Sequence, residues 1–211
     1  MTDAWVRWHD KYDVPGSSLS VRLDLVAAHV ARAVDARPAG PVRLVSACAG
    51  QGRDVVRALR EHPRRGDVTG RLVELDPVNA ADARDRIAAA GLSGLEVLEA
   101  DAGATAAYAG AVPAGVILMC GVFGNVTDED IRATVHALPE FAEPGARVIW
   151  TRHRGAPDVT PRIRGWFAEA GFREVAFDAP EPFSVGVGVH ELAAPPRPLT
   201  ADRRLFTFVT G

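Results

Sequence analysis

Apolar residues recur at helical spacing through Leu19, Leu23, Val26, Ala27, Val30 and Val34, the stripe of an amphipathic helix. Ser17 or Ser18 is placed to cap its start, and Pro38-Ala39-Gly40-Pro41 stops it. The pattern then changes period. Val42 to Ala47 reads as a buried strand, Gly50-Gln51-Gly52 follows at once, and Asp54 to Leu59 opens a helix. Arg71 to Leu75 predicts a second strand, ending at Asp76-Pro77, and Asn79 to Ala90 a helix closed by Gly91. Further strands are expected at Leu95–Glu99, Gly115–Cys120 and Arg147–Thr151. Between the last two, Thr127 to Asp130 forms a capping box ahead of a helix whose Ile131, Val135 and Leu138 face the core. Thr160 and Pro161 start a final helix at its N-cap and first turn, and Gly171 closes it. A sixth strand is expected at Phe172–Phe177 and a seventh at Leu205–Val209. Residues 178–204, rich in Pro and Gly, read as one long irregular stretch.

Strands alternating with helices imply a mostly parallel sheet covered on both faces. Only turn residues stand between the sixth and seventh strands, and a link without a crossover helix joins antiparallel neighbours. The expected fold is therefore α/β: a Rossmann-like three-layer sandwich, its seven-stranded, mostly parallel sheet ending in an antiparallel strand. The 211 residues suit one domain. Within it, residues 1–40 are expected to form an N-terminal cap or lid region and residues 178–204 a substrate-side hairpin.

Charge narrows the partners. The formal net charge is −3, and the arginines are interleaved with Asp and Glu instead of forming the basic stripe of a nucleic-acid binder. No apolar run approaches the roughly twenty residues that a membrane helix needs. Met1 to Asp13 lacks the apolar core of a signal peptide, so a cytoplasmic location is expected. Cys48 and Cys120 lie in apolar stretches and do not look like a disulfide framework. No metal is expected.

The most informative junction is Ser46-Ala47-Cys48-Ala49-Gly50-Gln51-Gly52-Arg53-Asp54. Glycines between a strand end and a helix start let the backbone approach a ligand, and ligands of open α/β sheets sit beyond the carboxyl ends of the strands. Asp76, just after the second strand, can accept hydrogen bonds from two ribose hydroxyls. Glu74 points to the same strand face and has no assigned role. With Leu72 to Pro77, Leu98 to Ala102 and Ile117 to Phe123, this junction resembles the class I S-adenosylmethionine (SAM)-dependent methyltransferases, in particular their small bacterial stand-alone members. The resemblance covers about residues 42–177 and implies SAM as cofactor, with S-adenosylhomocysteine (SAH) as product.

By this resemblance Gly50 and Gly52 pass beside the methionine part of SAM, with Ala49 and Gln51 in the same loop. Asp76, followed by Pro77, holds the ribose. Asp101 and the Ala102 backbone read the adenine, and Cys120, Gly121 and Val122 line the methionine chain. Tyr12, with His9, is placed to close over the cofactor, and the N-terminal aromatics Trp5 and Trp8 and the loop residue Phe183 to shield it. NAD is the rival cofactor, but its fingerprint wants a third glycine where Val55 stands. Candidate catalytic residues on the carboxyl edge are His153, Asn125 and His190. The expected activity is methyl transfer to a small-molecule acceptor, at O or N rather than C. Ser46 and Cys48 depart from the family's pattern, which motivates a SAM-binding module without transfer as one alternative. Transfer to RNA or protein through Arg152 and Arg154 is another.

Overall fold

The computed structural model describes Tyr12, Val14 and residues 16–209; Trp5, Trp8 and His9 lie outside the described residues. In chain order the elements are α1 (Ser18–Asp35), β1 (Val42–Ala47), α2 (Arg53–Leu59), β2 (Val68–Glu74), α3 (Pro77–Ala89), β3 (Leu95–Glu99), β4 (Ala114–Met119), α4 (Asp128–Ala137), β5 (Ala142–His153), α5 (Thr160–Glu169), β6 (Phe172–Asp178) and β7 (Val185–Leu192). The strands form one sheet in the order β3-β2-β1-β4-β5-β7-β6. The pairs β1–β2, β1–β4, β2–β3 and β4–β5 are parallel, and β7 runs antiparallel to both β5 and β6. This is the expected Rossmann-like sandwich with its antiparallel last strand.

β4 shows why the sheet needs cover on both faces. Ile117 and Met119 enter the apolar cluster beneath α4 and α5, whereas Val116 and Leu118 enter the cluster beneath α1, α2 and α3. Such two-sided burial produces a continuous apolar run instead of alternation. The strand order reverses between β1 and β4, which opens a crevice at their carboxyl ends, the position where this architecture binds ligands. Ser46 stands opposite Leu118. Cys48 and Cys120 therefore leave adjacent strands at the same level, and both are free thiols.

The seventh strand lies at Val185–Leu192, inside the stretch expected to be irregular, and not at 205–209. Its Val-Gly-Val-Gly-Val pattern reads as turn-rich, but the glycines have a packing reason. The indole of Trp150, on the neighbouring β5, lies where a side chain at Gly188 would have to stand. Leu205 and Phe206 are buried without joining the sheet. Their segment crosses the β3–β4 connection, where Leu205 N–H donates to the Gly103 carbonyl at 2.7 Å, and Val209 N–H donates to the Asn125 carbonyl at 2.8 Å.

The same register corrects the placement of His190. It lies in mid-strand opposite Val148, 1% exposed, stacked on Phe167 with ring centroids 4.3 Å apart. Trp150 Nε1–H donates to its Nδ1 at 3.1 Å. His190 is a core residue, held away from the substrate edge because it lies inside β7 and not in an irregular loop. Burial lowers its pKa from 6.5 to about 4, against the pull of Glu174 and with a small push from Arg164. A histidine held neutral in the fold contributes stability in full above 6.5 and loses it as pH falls toward 4. We predict that the melting temperature falls between pH 6.5 and pH 5, a window in which the paired carboxylates of Glu140, Glu174 and Glu191, all held low, remain ionised. His190→Gln, which keeps an acceptor for Trp150 but does not titrate, should flatten that slope; circular dichroism melts at stepped pH check it.

Candidate active site

The loop after β1 turns by left-handed backbone at three alternate positions, Cys48 (φ 50°), Gly50 (φ 54°) and Gly52 (φ 64°). Two are glycines, for which this conformation is unstrained. The loop is tied down by a carboxylate from the next strand. Glu74, the last residue of β2 and buried, accepts from Gly50 N–H at 2.7 Å through Oε2 and from Asp76 N–H at 2.9 Å through Oε1. A carboxylate has about four acceptor sites, so this junction uses half of its capacity.

Asp76 has a different task. Its Oδ1 accepts from Val78 and Asn79 N–H at 2.9 and 3.0 Å, the N-cap of α3, with Pro77 exposed in the first turn. The strand-end acid singled out from sequence is thus a helix cap, and the acid two residues earlier reaches the glycine loop. Asp101 uses Oδ1 to accept from Gly103 N–H at 2.8 Å and Oδ2 to accept from Arg204 at 2.9 Å. Ala102 and Val122 are buried in the core, so only their backbones are available to a ligand.

Two cavities adjoin across Arg22 of α1. The smaller, about 30 Å³, is lined by Ala49, Gln51, Asp54 and Cys120, with Tyr12, Arg22 and Arg53 on its other wall. The Tyr12 phenolic oxygen accepts a hydrogen bond from Arg22, and the Arg53 guanidinium lies 5.7 Å from the centre of the Tyr12 ring. Burial pushes the Asp54 carboxyl above its usual range, against the Val55 N–H and the nearby Arg22 charge. Burial likewise pushes both the Cys48 and Cys120 thiols up, with Glu74 and Asp54 respectively adding to it. A thiol so held is protonated and no nucleophile; Cys120 is a wall.

The larger cavity, about 500 Å³, lies between the start of α1, the loop after β4, the end of β5 and the β6–β7 turn. It brings together Gly121, Asn125 and His153 from the predicted set, and Phe183 as expected; His190 is not among its residues. Asn125 Nδ2–H donates to the Gly121 carbonyl at 2.7 Å, and Gly121 N–H donates to Thr151 Oγ1 at 3.0 Å. A Cβ at Gly121 would meet nothing within 4 Å, so this backbone borders open space. His153 Nδ1 accepts from Gly155 N–H at 2.9 Å. The neutral ring therefore carries its proton on Nε2 and offers a donor there. Sequence reasoning gave no role to Arg22 or Thr151, which line the cavities, nor to Glu74, which holds the glycine loop. Only Glu74 had a signal, its shared face with the strand end.

Among the described residues no cluster of three or more His, Cys, Asp or Glu is arranged to hold a metal, and no helix is long and apolar enough to cross a membrane. We predict that Glu74→Ala destabilises the fold by about 1.5–3 kcal/mol, the range for losing hydrogen bonds to a charged group. Urea unfolding measures it, and Glu74→Gln, which keeps acceptor capacity, should recover part of the loss.

The fold is shared with solved methyltransferases at low identity. An O-methyltransferase family protein from Burkholderia thailandensis superposes with a TM-score of 0.65 at 17% identity, over 83% of this chain and 56% of that one. The CurJ carbon methyltransferase gives 0.65 at 15%, over 88% and 58%. Magnesium protoporphyrin IX methyltransferase from Synechocystis PCC 6803, with bound SAM, gives 0.67 at 13%, over 90% and 91%. The chain thus spans little more than half the length of the first two. No curated protein matches it. A family model described as "Putative methyltransferase" matches residues 20–163, which is more than half of the chain, and the chain belongs to that methyltransferase family.

Proposed function

We propose that this methyltransferase takes its methyl group from SAM, leaving SAH, and delivers it to a small-molecule acceptor held in the 500 Å³ cavity. The observation that carries the reading is the Glu74 junction: a buried carboxylate, half used, that fixes a left-handed glycine loop at the switch point of the sheet.

The residues present fit the cofactor. Glu74 keeps acceptor sites for ribose hydroxyls, and we move the ribose contact expected of Asp76 to it. Asp101 and the Ala102 backbone stand one strand further along for the adenine. Gly50, Gly52, Cys120 and Gly121 border the methionine chain, and Arg22 and Arg53, beside Tyr12, bring positive charge suited to its carboxylate. When bound, SAM supplies a methyl group on a positively charged sulfur, open to in-line displacement. The chain's own task is then to hold an acceptor in near-attack geometry, which contributes several kcal/mol without a dedicated base. Asn125, whose Nδ2 is engaged with Gly121, presents its Oδ1. His153 presents Nε2–H, which makes it a positioning donor before it is a base. We also propose that residues 1–40 cap the cofactor and that residues 178–204, chiefly the β6–β7 turn around Phe183, frame the acceptor. A cytoplasmic location belongs to the same proposal.

The distinguishing test is a pair of isosteric substitutions. Glu74→Gln should weaken SAM binding about tenfold or more, which is about 1.4 kcal/mol, whereas Asp76→Asn, itself a good N-cap, should change it by less than about threefold. Isothermal titration calorimetry with SAM reads both. The opposite ranking would return the ribose to Asp76, and no SAM binding by the native protein would end the proposal.

A further inference from the structure

The larger cavity holds a charge that the chain does not answer. Arg152, the penultimate residue of β5, is half-buried, and its Nε is buried with no hydrogen-bond partner. Arg154, two residues on, is paired with Asp158 at 3.3 Å. Arg152 has neither an ion pair nor a hydrogen bond among the described residues. Its guanidinium lies against the loop after β4, with Nη1 3.5 Å from where a Cβ on Gly124 would stand. His153 lines the same cavity with its ring proton on Nε2, and Arg22 borders it from α1. No Asp or Glu is among the described residues lining this cavity.

Leaving a buried guanidinium N–H without a partner costs free energy, and an orphaned donor on a cavity-lining side chain is one that a ligand can complete. Its planar fork of N–H donors matches a carboxylate, with two parallel hydrogen bonds. From this juxtaposition we propose that the methyl acceptor is a carboxylate-bearing small molecule, its carboxylate held by Arg152 with support from the His153 Nε2–H. The inference rests on the reading of this cavity as the acceptor site. The carboxylate is the handle and not the methylated atom, because pairing with a guanidinium withdraws electron density from the oxygens that would have to attack. The reacting O or N therefore stands at the other end of the acceptor, toward Gly121 and Asn125. An anionic handle also complements the positive sulfur of the cofactor, so each should favour binding of the other.

The test uses matched probes on the native protein saturated with SAH: para-fluorobenzoate, para-fluorobenzamide and phenyl phosphate, followed by line broadening in fluorine and phosphorus NMR. The expected result is that the benzoate binds at least about tenfold tighter than its amide, a difference of about 1.4 kcal/mol, and tighter than the phosphate. In Arg152→Gln the preference for acid over amide should fall to about twofold or less, while SAH affinity by calorimetry stays within about twofold of native. Equal binding of acid and amide, no binding of either at millimolar concentration, stronger binding of the phosphate, or an acid preference that survives Arg152→Gln overturns the proposal. A large loss of SAH affinity in Arg152→Gln also overturns it, since the arginine would then serve the cofactor. If the native protein binds no SAH, the cofactor reading fails first, and this outcome is seen separately in the calorimetry.

Discussion

One carboxylate joins the two loops on which everything at the sheet edge depends. Glu74 holds the backbone of Gly50 with one oxygen and that of Asp76 with the other. Both donors come from segments that have just left parallel neighbouring strands and have no ladder partner of their own. Charge-assisted bonds of this kind are short and about twice as strong as neutral ones. They hold the glycine loop in its left-handed path and set the start of α3, so the spacing between the first and second strand ends is fixed before any ligand arrives. A site preorganised in this way spends little binding free energy on ordering itself.

Around that junction the charges are sorted by place. Acids stand over β2 and β3, at Glu74 and Asp101. Arginines stand over α1, α2 and β5, at Arg22, Arg53 and Arg152. The first group suits hydroxyls and the amino group of a nucleoside, and the second suits carboxylates. Arg22 borders both cavities and is compensated by the half-buried Asp54. Arg152 lacks such compensation among the described residues, and the proposed acceptor carboxylate would supply it.

The layered fold, the strand order and the position of the crevice were legible in the sequence, because two-sided burial leaves continuous apolar runs and the glycine loop marks the switch point. The last strand was not. Gly186 and Gly188 read as turn residues, and nothing in the local pattern tells that the Trp150 indole, thirty-eight positions away from Gly188, occupies the space of the missing side chain. That error carried His190 from mid-strand to the carboxyl edge of the sheet. The roles of Glu74 and Asp76 could not be separated for a simpler reason: a helix cap and a ligand acid are the same chemical group at the same strand end, and only the direction of their hydrogen bonds divides them. Arg152 sits among many paired arginines, and lacking a partner is a property of packing that sequence does not display. That Asn125 and His153 border one cavity was legible because both stand at carboxyl ends of central strands, which this topology brings together.

The orientation of the cofactor across the Glu74 junction decides between these assignments most directly. A crystal structure of the complex with SAH measures it. Both ribose hydroxyls are expected within hydrogen-bond distance of the Glu74 carboxylate, with the sulfur facing the cavity bordered by Asn125, Thr151 and His153. A ribose bound to Asp76 while Glu74 touches only the Gly50 and Asp76 amides, or a sulfur turned away from that cavity, would contradict this orientation.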